Sequence, residues 1–89
     1  MFYIYILKDD NGRVYIGVTQ NLRKREVTHN TKRGALFTKS GNFQIVFHEL
    51  YDTLAEARSR EIQIKKWRRE KKERVIERFK QGLPTKMRV

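Results

Sequence analysis

The sequence predicts one mixed α/β (α+β) domain with its elements in the order β-β-α-β-α-α. Three observations carry this. Two short apolar runs, Phe2 to Leu7 and Arg13 to Thr19, flank an Asn11-Gly12 turn. A third strand-like run extends from Phe43 to Tyr51. Thr53-Leu54-Ala55-Glu56 has the Thr-x-x-Glu spacing that opens a helix. A chain of 89 residues accommodates one core and no second one. We assign residues 1–82 to that domain and residues 83–89 to a short, frayed basic tail.

The hairpin is informative because its register decides which tyrosines share a face. A two-residue Asn11-Gly12 loop sets Tyr5 opposite Val18 and sends Tyr15 to the other face. A three-residue Asp10-Asn11-Gly12 loop, with Gly12 in a left-handed bulge, sets Tyr5 opposite Gly17 and Leu7 opposite Tyr15. The second register gathers Phe2, Ile4, Ile6, Val14, Ile16 and Val18 on one face. It leaves both tyrosines on the other, with open space above Gly17. It sorts residues by type and is preferred.

Asn21 can cap a helix running to about Asn30, on which Leu22, Arg25 and His29 share a face. Few apolar residues anchor this helix, so its inner face does more than fill a core. Thr31 to Asn42 reads as a loop rich in cations and glycine. In the third strand His48 reads as a surface histidine rather than a catalytic one. After Thr53, Leu54, Ala57, Glu61 and Ile64 form one helical stripe with a carboxylate in an otherwise apolar row. Burying an unpaired charge is costly, so Glu61 must be protonated, paired with a cation such as Arg25 or Lys65, or holding a metal. From Trp67 onward one long helix and two short ones both fit. Two would let Trp67 and Phe79 fold back onto the core and are favoured. Gly82 and Pro84 end the last helix.

The chain carries 21 Lys and Arg against 10 Asp and Glu, a net charge of +11. That excess exceeds what solubility needs and favours a polyanion. A merely basic, ribosome-like protein would share it. No cysteine is present, which suits a reducing compartment and excludes thiolate metal sites. Met1 to Leu7 is too short for a signal-peptide core, and no apolar run approaches a membrane span. The expected setting is cytoplasmic, with no membrane partner. No phosphate loop, zinc-protease motif, CxxC or nucleophile elbow occurs. What remains is tyrosine, arginine, histidine, lysine and glutamate in a basic protein, a set that fits phosphodiester chemistry.

Tyr3-Ile4-Tyr5, then Tyr15-Ile16-Gly17 ten residues on, then Arg25, His29 and a distant helical Glu61 resemble the GIY-YIG nuclease family. Tyr3 stands where the family's first motif has glycine. The segment Glu61 to Trp67 (EIQIKKW) resembles the small stand-alone members, and the likeness spans residues 2 to 80. The resemblance implies a three-stranded antiparallel sheet flanked by helices and a metal-dependent endonuclease acting on DNA. It implies that one of Tyr5 and Tyr15 activates water, that Arg25 steadies charge on the phosphate, and that Glu61 binds one Mg²⁺ or Mn²⁺. His29 matches a histidine found in part of the family, and Lys8 a lysine of its repair branch. The asparagine that often follows the glutamate has no counterpart here. Lys32, Arg33, Lys39 and Lys65 are placed as contacts to nucleic acid, DNA of branched or other structure included, although a solvated charged loop accounts for Lys32, Arg33 and Lys39 equally well. A domain this small would take its specificity from a protein partner, a dimer or DNA shape.

Overall fold

In the computed structural model of the chain, the residues described are 1–25 and 43–85. The expected helix end near Asn30, the loop at 31–42, and with them His29, Lys32, Arg33 and Lys39, lie outside the described residues.

Strands β1 (Phe2–Lys8), β2 (Val14–Thr19) and β3 (Gln44–Tyr51) form one antiparallel sheet in the order β2-β1-β3. Residues 22–25 are helical. Two helices follow the third strand, α1 (Leu54–Lys65) and α2 (Arg69–Lys80). The hairpin takes the three-residue loop: Tyr5 pairs with Gly17 and Leu7 with Tyr15. The Asp9 N–H donates to the Arg13 carbonyl at 3.0 Å and the Gly12 N–H to the Asp9 carbonyl at 3.1 Å. Gly12 sits at φ +84°, the left-handed position that the bulge requires. Asp9 locks the turn from inside. Its carboxylate accepts from the Asn11 and Arg13 N–H groups at 2.9 and 2.8 Å and from Arg13 Nε at 2.7 Å.

The register divides the core into two clusters, one on each face. Ile4, Ile6, Phe47, Ile64 and Val75 form the larger, joined by Val14, Ile16, Val18, Trp67 and Phe79. Tyr5, Leu7 and Phe43 form the smaller, joined by Tyr15, Leu22 and Ile45. The central strand is therefore covered on both sides, and Ile4 to Leu7 is its most buried stretch.

Thr53 caps α1: the Glu56 N–H donates to its hydroxyl at 3.2 Å, and that hydroxyl donates to the Glu56 carboxylate at 2.9 Å. The chain breaks between Lys65 and Arg69 with no glycine or proline present. The break returns Trp67 to the core, where Arg60 and Lys71 lie 5.1 and 4.6 Å from its ring. At the end of α2 the Gly82 N–H bonds the Phe79 carbonyl and the Leu83 N–H bonds the Arg78 carbonyl, with Gly82 at φ +76°.

Two expectations need correction. Leu54 does not belong to the buried stripe of α1; it is 44% exposed, because it opens the helix at the rim of a cleft. The buried positions are Ala57, Arg60, Glu61 and Ile64. Nor is residue 85 frayed. The Thr85 hydroxyl donates to Glu49 at 2.6 Å, and its carbonyl accepts from Arg60 at 3.0 Å.

Candidate active site

The site grows from the central strand. Tyr5 points from β1 across Gly17 of the edge strand β2. A Cβ on Gly17 would lie 2.6 Å from the Tyr5 hydroxyl oxygen and 2.9 Å from the ring carbon bearing it. Glycine is required here by close approach rather than by backbone conformation. Tyr15 lies two residues along β2 on the same face, half-buried, with its ring edge-on to Phe43 at 5.2 Å. Tyr3 leans edge-on against His48 at 5.7 Å, and His48 against Phe79 at 4.8 Å. That histidine is enclosed by aromatic neighbours, as a packing residue would be.

Arg25 arrives from the helical residues after β2. Asn21 starts them: its side chain accepts from the Lys24 N–H at 2.9 Å, and its carbonyl from the Arg25 N–H at 3.1 Å. Arg25 lines a cleft of about 560 Å³ that runs from Phe2, Val18 and Thr19 to Leu54 and Arg58 of α1. Among the described residues, the cations Lys24, Arg25 and Arg58 wall this cleft and no acidic residue does.

Glu61 comes from α1. Its side chain is only 8% exposed, yet it has two cationic partners. Arg58 Nη1 donates to Oε1 at 2.9 Å, and Lys65 Nζ stands 3.3 Å from Oε2. Both cations are more than half exposed. Burial pushes the carboxyl pKa up, but the bonds from Arg58 and Lys65 outweigh it and hold the value below the ordinary one. Glu61 is therefore an ionised carboxylate. The same charges reach the Tyr5 phenol. Burial raises its pKa, Arg25 lowers it, Glu61 raises it and Arg58 lowers it, with a net rise. Arg25, Arg58 and Glu61 thus each act on Tyr5, although the four residues come from three separate stretches of chain.

The family model described as the GIY-YIG catalytic domain matches residues 1–74. The chain belongs to the GIY-YIG family. It is 40% identical over 76 residues to a UPF0213 protein of Bacillus pumilus, covering 84% of this chain and 78% of that one. It is 42% identical over 77 residues to a UPF0213 protein of Clostridium perfringens, covering 85% and 83%. A solution NMR structure of a UPF0213 protein from Bacillus halodurans superposes with a TM-score of 0.56 at 32% identity, over 86% of this chain and 84% of that one. The chain is similar over most of its length to small UPF0213 proteins, and membership of the family points to nuclease-type chemistry on a nucleic acid.

Of the GIY-YIG positions picked from sequence, the structure gathers Tyr5, Arg25 and Glu61, with Tyr15 on the same sheet face as Tyr5. Lys65 joins them as a partner of Glu61. Lys8 goes elsewhere. Its ammonium binds the Glu73 carboxylate of α2 at 2.9 Å, and it lines a groove with Gln44, Ile76 and Lys80 rather than the Arg25 cleft. Sequence reading missed Arg58, whose spacing of three residues from Glu61 is the signal that would have found it. It also missed a second buried carboxylate, Glu49. Arg60 donates to both its oxygens at 2.9 and 3.2 Å, and Tyr51 donates to Oε1 at 2.8 Å. Those partners hold its pKa down against burial.

No three His, Cys, Asp or Glu side chains gather as a metal cage among the described residues. A single ionised oxygen donor such as Glu61 still suits a hard divalent cation, whose other ligands would be water and substrate phosphate. Among the described residues no helix is long and apolar enough to cross a membrane.

Proposed function

We propose that this protein is a divalent-metal-dependent endonuclease that hydrolyses DNA phosphodiester bonds. The observation that carries the reading is that Arg25 and the nearly buried Glu61 both act on Tyr5, while Arg58, a partner of Glu61, lines a cleft with Lys24 and Arg25. Glu61 would hold one Mg²⁺ or Mn²⁺, which supplies Lewis-acid polarisation of the phosphate. Arg25 takes part of the charge that develops on the phosphate oxygens. Burial keeps Tyr5 in its phenol form, so Tyr5 serves as a hydrogen-bond donor. Tyr15, less buried, accepts the proton of the attacking water. Using a tyrosine as base at neutral pH costs about 4 kcal/mol in water, a cost that a bound divalent cation would lower. His29 and Lys8 are assigned supporting roles, Lys8 the lesser because Glu73 engages it. Lys32, Arg33, Lys39 and Lys65 are assigned to backbone contact, and the setting to the cytoplasm.

The engagement of Glu61 by both Arg58 and Lys65 favours a second reading, a nucleic-acid-binding module without cleavage. A panel of branched, flapped and plain duplex DNA, incubated with Mg²⁺ or Mn²⁺, separates the two. The endonuclease reading expects metal-dependent products. The binding-module reading expects salt-sensitive binding and no product.

A further inference from the structure

We infer that Arg58 is a second phosphate-holding arginine that exchanges Glu61 for the DNA backbone when Glu61 takes its metal. The inference rests on the nuclease reading and adds a residue to it. Arg58 holds one Glu61 oxygen through a single nitrogen at 2.9 Å. It also forms part of the cleft wall with Lys24 and Arg25. Among the described residues that line the cleft it is the one that also bonds Glu61, since Lys65 lies outside that lining.

Its neighbour Arg60 provides the contrast. Arg60 is buried and bonded to Glu49, Gln63 and the Thr85 carbonyl, so it has no room to change partner. Arg58 is more than half exposed. Its guanidinium offers five donors in a planar fork that suits two phosphate oxygens at once.

In the free protein Arg58 neutralises a carboxylate that burial would otherwise destabilise. Once Glu61 binds a divalent cation, Arg58 faces a like charge and loses its acceptor. The nearest destination for its charge is an anion in the cleft beside Arg25. The exchange couples two binding events: DNA that draws Arg58 away frees Glu61 for metal, and metal that displaces Arg58 frees it for DNA.

The test uses the full chain and two binding measurements beside cleavage. Free Mn²⁺ is titrated against wild type and Arg58→Ala without DNA, read by electron paramagnetic resonance. Labelled duplex is titrated against both proteins in EDTA and again in Ca²⁺, read by fluorescence anisotropy. Arg58→Ala is expected to bind Mn²⁺ roughly two- to five-fold tighter, because a competing exposed cation has gone. It is expected to lose less than about two-fold in DNA affinity in EDTA and about ten-fold or more in Ca²⁺. Arg58→Lys keeps the charge without the fork, and should restore Mn²⁺ binding to the wild-type value but recover only part of the Ca²⁺-dependent DNA affinity. Mn²⁺ binding that is unchanged or weaker in Arg58→Ala overturns the inference, as does equal DNA loss in EDTA and Ca²⁺. Should the wild type neither bind Mn²⁺ nor cut DNA, the nuclease reading falls as well. A wild type that cuts, beside an Arg58→Ala variant showing either overturning result, removes the Arg58 exchange alone.

Discussion

Glu49 and Glu61 are both nearly buried, both bonded to arginine, and both ionised at lower pH than an ordinary glutamate. They differ in what surrounds their partners. Glu49 is enclosed by Arg60, Tyr51 and Thr85, and the arginine is itself buried. Glu61 is held by two exposed side chains, of which Arg58 lines a cationic cleft. Burial of a carboxylate does not mark a site, and neither does a lowered pKa. What distinguishes a site is whether the partners can leave. Glu49 fastens β3 to α1 and to the segment after α2. Glu61 is closed by groups that solvent, metal or phosphate can replace.

The largest effect that would break this contrast is on stability. Glu49→Ala leaves Arg60 buried without its anion and should cost about 3–5 kcal/mol. That is readable as a large drop in the urea midpoint. Glu61→Ala removes an anion whose partners are already wet, and should cost less than about 1 kcal/mol. Similar losses for the two would show that both are structural. Next in size is Gly17→Ala. Its Cβ would meet the Tyr5 hydroxyl, so the ring must move, at about 1–3 kcal/mol. Thermal unfolding would show that cost, and cleavage should fall further than stability explains because Tyr5 is displaced.

The pH dependence sharpens the same comparison. Glu49 and Glu61 both titrate below the ordinary value of 4.5, so each contributes stability that is present above pH 4.5 and lost as pH falls through the folded value. Urea midpoints should therefore decline below pH 4.5. Because the partners of Glu49 are buried, Glu49→Gln should flatten the decline more than Glu61→Gln. The smallest effect expected is at Lys8. Its pair with Glu73 is partly exposed, so Lys8→Ala should change stability by less than about 1 kcal/mol and cleavage by less than about ten-fold.

Most of the fold was legible because local chemistry and global pattern agree. The Asn11-Gly12 loop, the sorting of the two strand faces, the cap at Thr53 and the stop at Gly82 each specify backbone directly. That Arg25 and Glu61 both act on Tyr5 follows from no local rule, since the three come from separate stretches of chain; only the family motif pointed to them together. Arg58 and Glu49 were hidden for different reasons. Arg58 looks like any exposed helical arginine until its cleft is formed. Of the partners of Glu49, Arg60 and Thr85 lie 11 and 36 residues away, beyond any pattern of helix or strand. Lys8 fits a motif by its strand position, and its pairing with Glu73, 65 residues away, has no signal in the local pattern.

The most direct measurement is cleavage of a labelled branched duplex in Mn²⁺ by wild type and Glu61→Ala, with urea unfolding of both preparations alongside. The account predicts products from the wild type, none from the variant, and midpoints that agree to within about 1 kcal/mol. Equal cutting by both proteins would contradict it, as would intact DNA with both while each still binds.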